Sequence, residues 1–179
     1  MEIGFYAGSF DPFTNGHLHV VRQSARLFDK VVIGIGINPK KHRRFDQKMM
    51  KEAIEKVLIR EELSNVSVMF YTGLTVDAAH SKNATFLVRG IRNGIDYDFE
   101  ENISSINEEV SGLDTVYIRA GNMGNISSSM VMELLGHRDV SKYLPAEVLE
   151  IVQKWQQPKN HRCIIYICGF LLNFGQKNF

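Results

Sequence analysis

The amino-acid sequence predicts a single α/β domain with a doubly wound, parallel five-stranded sheet. Five apolar runs rich in β-branched residues alternate with segments whose apolar residues recur at helical spacing. The runs are almost continuously apolar, which is typical of parallel strands covered by helices on both faces. A chain of 179 residues is also long enough to bury one substantial core.

The elements follow in order from these patterns. The predicted strands share the apolar, β-branched composition and cover residues 3–7, 31–37, 66–71, 85–88 and 115–118. The predicted helices lie after them and cover residues 16–28, 46–63, 74–82, 97–110, 127–135 and 145–155. Asp46 is suited to begin the second helix as its N-cap, and Gly112 to end the fourth. Pro145 suits the first position of the last helix.

Composition excludes several classes of protein. The chain is 44% hydrophobic and 23% charged with a formal net charge of +1, so bulk attraction to nucleic acid or to an acidic membrane is not expected. No basic segment followed by a long apolar run begins the sequence, and a cytoplasmic location is expected. Cys163 and Cys168 match neither a zinc nor a redox spacing.

The domain is predicted to span residues 1–157. Residues 158–179 form a tail of unknown role, either an appendage or an extra packing element. Its apolar run of about a dozen residues is too short to span a bilayer as a helix.

Polar loops follow the predicted strands, and in a doubly wound sheet ligands bind beyond the carboxyl ends of the strands. Hydroxyl groups, glycines and cations are concentrated in these loops. The loops read "GSFDPFTNGH", "NPKKHRRF", "GLT", "RGIRNGIDYDFE" and "GNMGNISSS".

The first loop brings Ser9, Thr14 and His17 to the start of a helix, where unpaired backbone N–H groups attract anions. Neither the Walker lysine pattern nor the dinucleotide fingerprint occurs. His17 has two interpretations: a helix cap, or a group aimed at a bound phosphate.

The other loops supply cations and hydroxyls, each with a second interpretation. The "KKHRR" run is either a solvated cluster or a source of lysine for phosphate. Arg89 and Arg92 suit bidentate phosphate binding, and they can also pair with the acidic residues Asp96, Asp98 and Glu100. One serine of "ISSS" is explained as an N-cap, whereas three favour a phosphate cradle.

Taken in order, these motifs resemble the bacterial phosphopantetheine adenylyltransferases. That family lies in the nucleotidyltransferase superfamily with a histidine–x–glycine–histidine-type motif, here "TNGH". The resemblance covers about residues 1–155 and includes "NPKK", "LVRGIRNGIDYDFE", "ISSSMVMELL" and "DVSKYLP". It implies a Rossmann-like fold and transfer of AMP from ATP to 4′-phosphopantetheine with Mg²⁺. It also implies a homohexamer and feedback binding of coenzyme A.

The resemblance assigns roles by position. His17 would stabilise the transition state. The residues matching the family's ATP site are Ser9, Phe10, His17, Gly90, Ile91, Arg92, Glu100, Met123, Gly124, Asn125, Ile126, Ser127, Ser128 and Ser129. Those matching its acceptor site are Ser9, Lys41, Thr75 and Arg89. No residue is assigned as a metal ligand. The "GNMGN" stretch departs from the family, where relatives usually carry an aromatic-containing segment.

Other functions fit these motifs less well. The nearest rivals in the superfamily are a nicotinamide- or nicotinate-mononucleotide adenylyltransferase and a cytidylyltransferase, whose acceptor motifs differ from "RGIRNGIDYDFE". A nucleotide-binding protein without catalysis is the alternative outside it, but binding alone does not require His17. Because the acceptor phosphate is itself a nucleophile, the chemistry needs positioning and electrostatics rather than a triad.

Overall fold

A computed structural model describes residues 1–156 of the chain, so the predicted tail 158–179 and both cysteines lie outside the described residues. The strands are β1 (Ile3–Gly8), β2 (Lys30–Gly36), β3 (Val66–Tyr71), β4 (Phe86–Ile91) and β5 (Asp114–Arg119). The α-helices are α1 (Asn15–Leu27), α2 (Gln47–Arg60), α3 (Thr75–His80), α4 (Gly94–Ser111), α5 (Ser128–Leu134) and α6 (Ala146–Gln156). Short 3₁₀ helices cover Gly121–Met123 and Ser141–Tyr143.

The five strands form one all-parallel sheet in the order β3-β2-β1-β4-β5. The prediction of a doubly wound α/β fold is therefore confirmed. The chain order reverses beside β1, which pairs with β2 on one side and with β4 on the other. Loops that leave neighbouring strands in opposite directions open a crevice at this point. The first loop of the sequence thus lies at the switch point of the sheet.

Helices bury both faces of the sheet. The larger core lies on the face covered by α1, α2, α5 and α6 and includes the fully buried Val21, Ile54, Val131 and Val148. The smaller core lies on the opposite face, where α3 packs over Phe5 and Leu87. Burial on both faces accounts for the nearly continuous apolar strands of the sequence.

The predicted caps are confirmed at two helices. The carboxylate of Asp46 accepts hydrogen bonds from the backbone N–H groups of Lys48 and Met49, both at 2.9 Å. Gly112 ends α4 with a φ of 70°, in the left-handed region that favours glycine. Both helix ends could be predicted from the sequence because aspartate is strongly favoured as an N-cap and glycine as the residue that ends a helix.

The prediction was wrong about where β4 ends and α4 begins. The strand was predicted to stop at residue 88, but it continues through Arg89, Gly90 and Ile91, because their backbones pair with β5 as far as Arg119. The helix begins at Gly94 rather than residue 97, because the side chain of Asn93 accepts a hydrogen bond from the Asp96 N–H at 2.9 Å and caps it. The loop between the two elements is therefore only two residues long.

Within residues 1–156, no helix is long and apolar enough to cross a membrane. The longest described helix, α4, has an amphipathic surface with a single buried residue, Ser104.

Candidate active site

Two cavities adjoin at the carboxyl ends of the central strands. The first cavity, about 410 Å³, lies between β1, β4 and the starts of α1 and α5. The second cavity, about 600 Å³, lies beyond the ends of β1, β2 and β3. Ala7, Gly8, Ser9 and Arg89 line both. A ligand group held at Ser9 and Arg89 would therefore be in reach of both cavities.

His17 is fixed in the first cavity by a reciprocal cap at the start of α1. The His17 N–H donates to Thr14 Oγ1 at 3.4 Å, and the Thr14 N–H donates to His17 Nδ1 at 3.0 Å. Thr14 is fully buried. Two otherwise unpaired backbone N–H groups are thus satisfied by one pair of residues. The cap interpretation of His17 is confirmed, and the same ring lines the first cavity, while a role toward a bound phosphate stays a prediction.

The cap also determines the tautomer of His17. A backbone N–H can only donate, so Nδ1 must be the unprotonated, accepting nitrogen. In the neutral ring the proton then lies on Nε2, which becomes the donor available to a ligand. Burial and, secondly, the positive charge of Arg92 lower the pKa of His17 from 6.5 to about 4. The imidazole is therefore neutral at pH 7.

Two aromatic rings hold the imidazole in place. Phe10 meets it edge-on with ring centroids 5.1 Å apart, and Phe13 lies 5.6 Å away. Phe10 adopts a φ of 47°, which is unusual for a residue with a side chain and turns its ring into the core. Only the backbone of Phe10 remains for a ligand, in line with the role that the resemblance implies.

Gly16 is required for packing. A Cβ atom added at Gly16 would lie 2.6 Å from the backbone oxygen of Ile126. The loop before α5 therefore crosses directly over the first turn of α1. Gly90 is similarly constrained, since an added Cβ would meet Val20 Cγ2 at 2.7 Å. At these two positions the structure explains glycine by close protein contacts.

The arginines of β4 and the following loop are paired within the chain, as one of the two interpretations predicted. Arg89 Nε lies 3.1 Å from Glu100 Oε2. Arg92 binds Asp96 through Nε at 3.2 Å and Nη2 at 2.7 Å. This hydrogen bonding raises the pKa of Arg92 and lowers that of Asp96. Both arginines also line the first cavity, where their charges face the space for a ligand.

The three serines of "ISSS" have different partners. Ser127 caps α5 by accepting a hydrogen bond from the Met130 N–H at 3.1 Å. Ser128 donates to the backbone oxygen of Pro12 at 2.8 Å and so ties this segment to the first loop. Ser129 is exposed, and its hydroxyl forms no hydrogen bond within residues 1–156. Of the three serine hydroxyls, only that of Ser129 is therefore without a partner among the described residues.

The second cavity contains the residues predicted for the acceptor. Lys40 and Lys41 line it from an exposed loop, and neither side chain forms an ion pair with a described residue. Thr75 lies opposite at the start of α3, with its hydroxyl 2.9 Å from the Tyr71 hydroxyl. Two unpaired ammonium groups beside Arg89 make this cavity suitable for an anionic group.

Not every predicted residue reaches a cavity wall. Of the positions matched to the ATP site, Ile91, Gly124 and Asn125 do not line the first cavity. Ile91 is the last residue of β4 and pairs with Arg119, and Asn125 is exposed. The remaining predicted residues line one of the two cavities or both.

Tyr6 was missed by the sequence reasoning. It is 5% exposed and lines the first cavity, and its hydroxyl has no hydrogen-bond partner among residues 1–156. Burial raises the pKa of Tyr6 further than the nearby charge of Arg89 lowers it, so the hydroxyl stays protonated. In the sequence Tyr6 is one apolar residue of a strand, and no local signal distinguishes it.

Comparisons with known proteins show what the chain is similar to. A family model described as cytidylyltransferase-like matches residues 5–134. The chain is 43% identical over 146 residues to phosphopantetheine adenylyltransferase of Porphyromonas gingivalis, a match covering 80% of this chain and 94% of that protein. It is 36% identical over 157 residues to the enzyme of that name from Leuconostoc mesenteroides, covering 86% and 96%.

A similar fold is found in solved structures. A nicotinic acid mononucleotide adenylyltransferase from Plasmodium falciparum has a TM-score of 0.64 at 16% identity, covering 86% of this chain and 95% of that chain. A structure described as a nicotinate-nucleotide adenylyltransferase from Vibrio parahaemolyticus has a TM-score of 0.62 at 20% identity, covering 86% and 99%. At these identities the similarity establishes the fold alone.

The neutral state of His17 gives the first prediction. In protein with ¹⁵N-labelled histidine, long-range ¹H–¹⁵N NMR spectra should show His17 as the Nε2–H tautomer at pH 7 and still neutral at pH 5. The unfolded chain binds this proton below about pH 6.5 and the folded protein only near pH 4. The group should therefore cost stability on the order of 2 kcal/mol between pH 7 and 5. His17→Gln identifies the signal, and a titration midpoint near 6.5 or an Nδ1–H tautomer would contradict the assignment.

Proposed function

This chain belongs to the cytidylyltransferase-like family and, within it, to the phosphopantetheine adenylyltransferases, and from that premise we propose the reaction that it catalyses. The chain transfers AMP from ATP to 4′-phosphopantetheine, giving dephospho-coenzyme A and pyrophosphate. One observation carries the proposal: the two adjoining cavities share Ser9 and Arg89. Two phosphorylated substrates, one in each cavity, would present their phosphates to one another at these residues.

In this proposal ATP occupies the first cavity. The Nε2–H of His17, the guanidinium of Arg92 and the hydroxyl of Ser129 are the donors that suit its phosphates. The start of α1 adds the positive end of a helix dipole. The chain offers no Walker loop, so phosphate binding is shared among separate elements.

The acceptor occupies the second cavity, with its phosphate toward Lys41 and Arg89 and its pantetheine arm toward Thr75. An oxygen of that phosphate attacks the α-phosphorus of ATP. The new oxygen–phosphorus bond forms as the bond from the α-phosphorus to the α,β-bridging oxygen breaks, and pyrophosphate leaves with that electron pair. The attacking oxygen is already ionised, so no general base is required.

His17 acts on the oxygens whose charge grows during the attack. A neutral imidazole held by the Thr14 cap and the rings of Phe10 and Phe13 is a preorganised donor. Such a donor needs no rearrangement when the charge develops, which is why it favours the transition state over bound ATP.

We propose that Mg²⁺ binds together with the nucleotide. Within residues 1–156, no three His, Cys, Asp or Glu side chains cluster where they could hold a metal ion. Among the described residues that line the first cavity, Glu100 is the only carboxylate. A Mg²⁺ bound mainly by phosphate oxygens would neutralise charge on the departing pyrophosphate. Of the described residues that line this cavity, Glu100 is the one whose carboxylate could contact that ion.

We also propose a homohexamer, feedback binding of coenzyme A at the same site and a cytoplasmic location. The surface of α4 supports self-association, since Ile95, Phe99, Ile106 and Val110 are exposed at spacings that place them on one side of the helix. Apolar patches of this kind mark interaction sites. Coenzyme A contains the pantetheine and adenylate parts of the product, so it would occupy both cavities.

The choice of acceptor is the test of the proposed reaction. With ATP and Mg²⁺, 4′-phosphopantetheine should support release of pyrophosphate, measured by a coupled assay. Nicotinate mononucleotide and nicotinamide mononucleotide should not, because the lysines and Thr75 of the second cavity are assigned here to the phosphate and the pantetheine arm of the acceptor. A higher kcat/KM with either mononucleotide would overturn the assignment of the second cavity.

Substitution of His17 tests the proposed mechanism. His17→Ala should lower kcat by about 10²–10³ while the Kd for ATP changes little, because the lost bond strengthens only in the transition state. The matched control is His80→Ala, whose ring also bonds a backbone group (the Ser111 oxygen, 3.2 Å) but lies outside both cavities. The drop in melting temperature of His17→Ala, measured by calorimetry, reports how much stability is lost with the cap. A folded His17→Ala protein with near-normal kcat would leave His17 only a structural role.

The oligomeric state has a direct measurement. Sedimentation velocity at micromolar concentration should give a mass near six times the 20.4 kDa of the chain. Val110→Lys should dissociate the assembly if the exposed side of α4 is an interface, because a buried unpaired charge is costly. The control is Ile59→Lys on α2, an equally apolar and exposed position outside α4. A monomeric wild-type protein would contradict the proposal.

A further inference from the structure

Asp11 connects the first loop to the loop that carries the lysines. Its side chain is about nine-tenths buried, and each carboxylate oxygen accepts one backbone hydrogen bond. Oδ2 accepts from the Arg44 N–H and Oδ1 from the Phe45 N–H, both at 3.0 Å. These bonds span more than thirty positions of sequence, so they join segments that follow two different strands.

Arg43 adds a charge to this connection. Its Nη2 lies 3.9 Å from Asp11 Oδ1. Arg43 Nε and Nη2 are buried and have no hydrogen-bond partner among residues 1–156. The carboxylate of Asp11 is therefore the nearby charge that compensates a partly buried guanidinium.

The position of Lys41 depends on two anchors, one on each side of it. Before it, Asn38 accepts the Lys40 N–H on its side chain at 2.9 Å and the Lys41 N–H on its backbone oxygen at 3.0 Å. After it, Asp11 accepts the backbone hydrogen bonds of residues 44 and 45. The Phe45 ring also packs against Trp155, with the ring centroids 5.6 Å apart. The loop between the anchors carries both lysines of the second cavity.

We propose that Asp11 is a positioning residue for the acceptor phosphate. It holds residues 43–45 against the first loop, so that Lys41 faces Ser9 and Arg89 across the second cavity. The inference rests on the proposed function, because it assigns the acceptor to that cavity. Asp11 itself lines neither cavity, so its proposed effect on the substrate is exerted through the loop that carries Lys41.

The alternative is that Asp11 only stabilises the fold. The two possibilities differ in what a substitution does to the KM of each substrate. A displaced lysine loop weakens binding of the acceptor and leaves the ATP residues in place. A loss of stability alone lowers the melting temperature and changes neither KM.

Asp46 supplies a matched control at the end of the same loop. It too accepts two backbone N–H bonds, but both go to the same oxygen, Oδ1. An asparagine there keeps that oxygen and stays a good cap. At position 11 the N–H groups face different oxygens, so an asparagine must turn its NH₂ group toward one of them. Replacing aspartate by asparagine removes one charge at either position, but it should preserve both backbone hydrogen bonds at Asp46 and disrupt one of them at Asp11.

The experiment compares Asp11→Asn with Asp46→Asn and with Asp46→Ala, which loses its cap and lowers the melting temperature. In Asp11→Asn the KM for 4′-phosphopantetheine should rise about tenfold, while the KM for ATP changes less than about twofold. Both Asp46 variants should keep both KM values. Hydrogen exchange of the peptide covering residues 38–45 should accelerate in Asp11→Asn and not in Asp46→Asn. If Asp11→Asn does not fold, Asp11→Glu replaces it in the experiment. Glutamate keeps the charge but displaces the carboxylate, so the same rise in the KM for 4′-phosphopantetheine is expected.

The outcomes separate this inference from the proposed function. Wild-type protein that does not adenylate 4′-phosphopantetheine would refute the proposed function, and hydrogen exchange would still report whether Asp11 anchors the loop. Active wild-type protein, with an Asp11→Asn variant that keeps its acceptor KM, would refute the positioning role. An equal rise of both KM values would refute it as well.

Discussion

The reciprocal cap between Thr14 and His17 is the interaction on which the rest of the site depends. It begins α1 at the switch point of the sheet, where β1 has neighbours on both sides. It also fixes which nitrogen of His17 carries the proton, and it holds the ring where burial and the charge of Arg92 lower its pKa and keep it neutral. Structural and chemical roles are combined in one ring, so stability and reactivity at this position cannot be optimised separately.

Contacts between loops extend this arrangement across the sheet. Ser128 reaches Pro12, the backbone of Ile126 crosses Gly16, and Asp11 holds the backbone at Phe45. The first two contacts join the first loop to the segment that follows β5, and the third joins it to the segment that follows β2. The first loop therefore acts as the common support of both cavities, and its short polar residues are used as much for these contacts as for ligands.

The fold could be predicted from local sequence patterns, and most of the site residues assigned by the family resemblance line one of the two cavities. The positions of the strands and helices follow from apolar periodicity, and two helix ends follow from Asp46 and Gly112, which have strong local preferences. The end of β4 was missed because pairing with β5 is a long-range interaction that overrides the polar composition of "RGIR". Tyr6 and Asp11 were missed for a related reason. Asp11 matters because it bonds the backbone of a loop more than thirty residues away, and Tyr6 because it is buried beside the first cavity without a hydrogen-bond partner among residues 1–156. Both facts depend on the folded chain and have no local signal in the sequence.

The pairing of Arg92 with Asp96 bears on which anions in a cell can occupy the first cavity. The guanidinium is about two-fifths exposed, and the two residues are four apart at the start of α4. Pairs of this kind are worth only about 0.3–0.5 kcal/mol. A pair of that strength lowers the affinity of Arg92 for any anion only about twofold. A small anion such as inorganic phosphate or chloride gains a single contact by replacing the carboxylate, whereas a polyvalent anion can contact several groups that line the same cavity, among them His17 and Ser129. Asp96 therefore keeps the guanidinium in place without withholding it from a ligand, and the number of donors around the cavity is what favours polyvalent anions over simple salts.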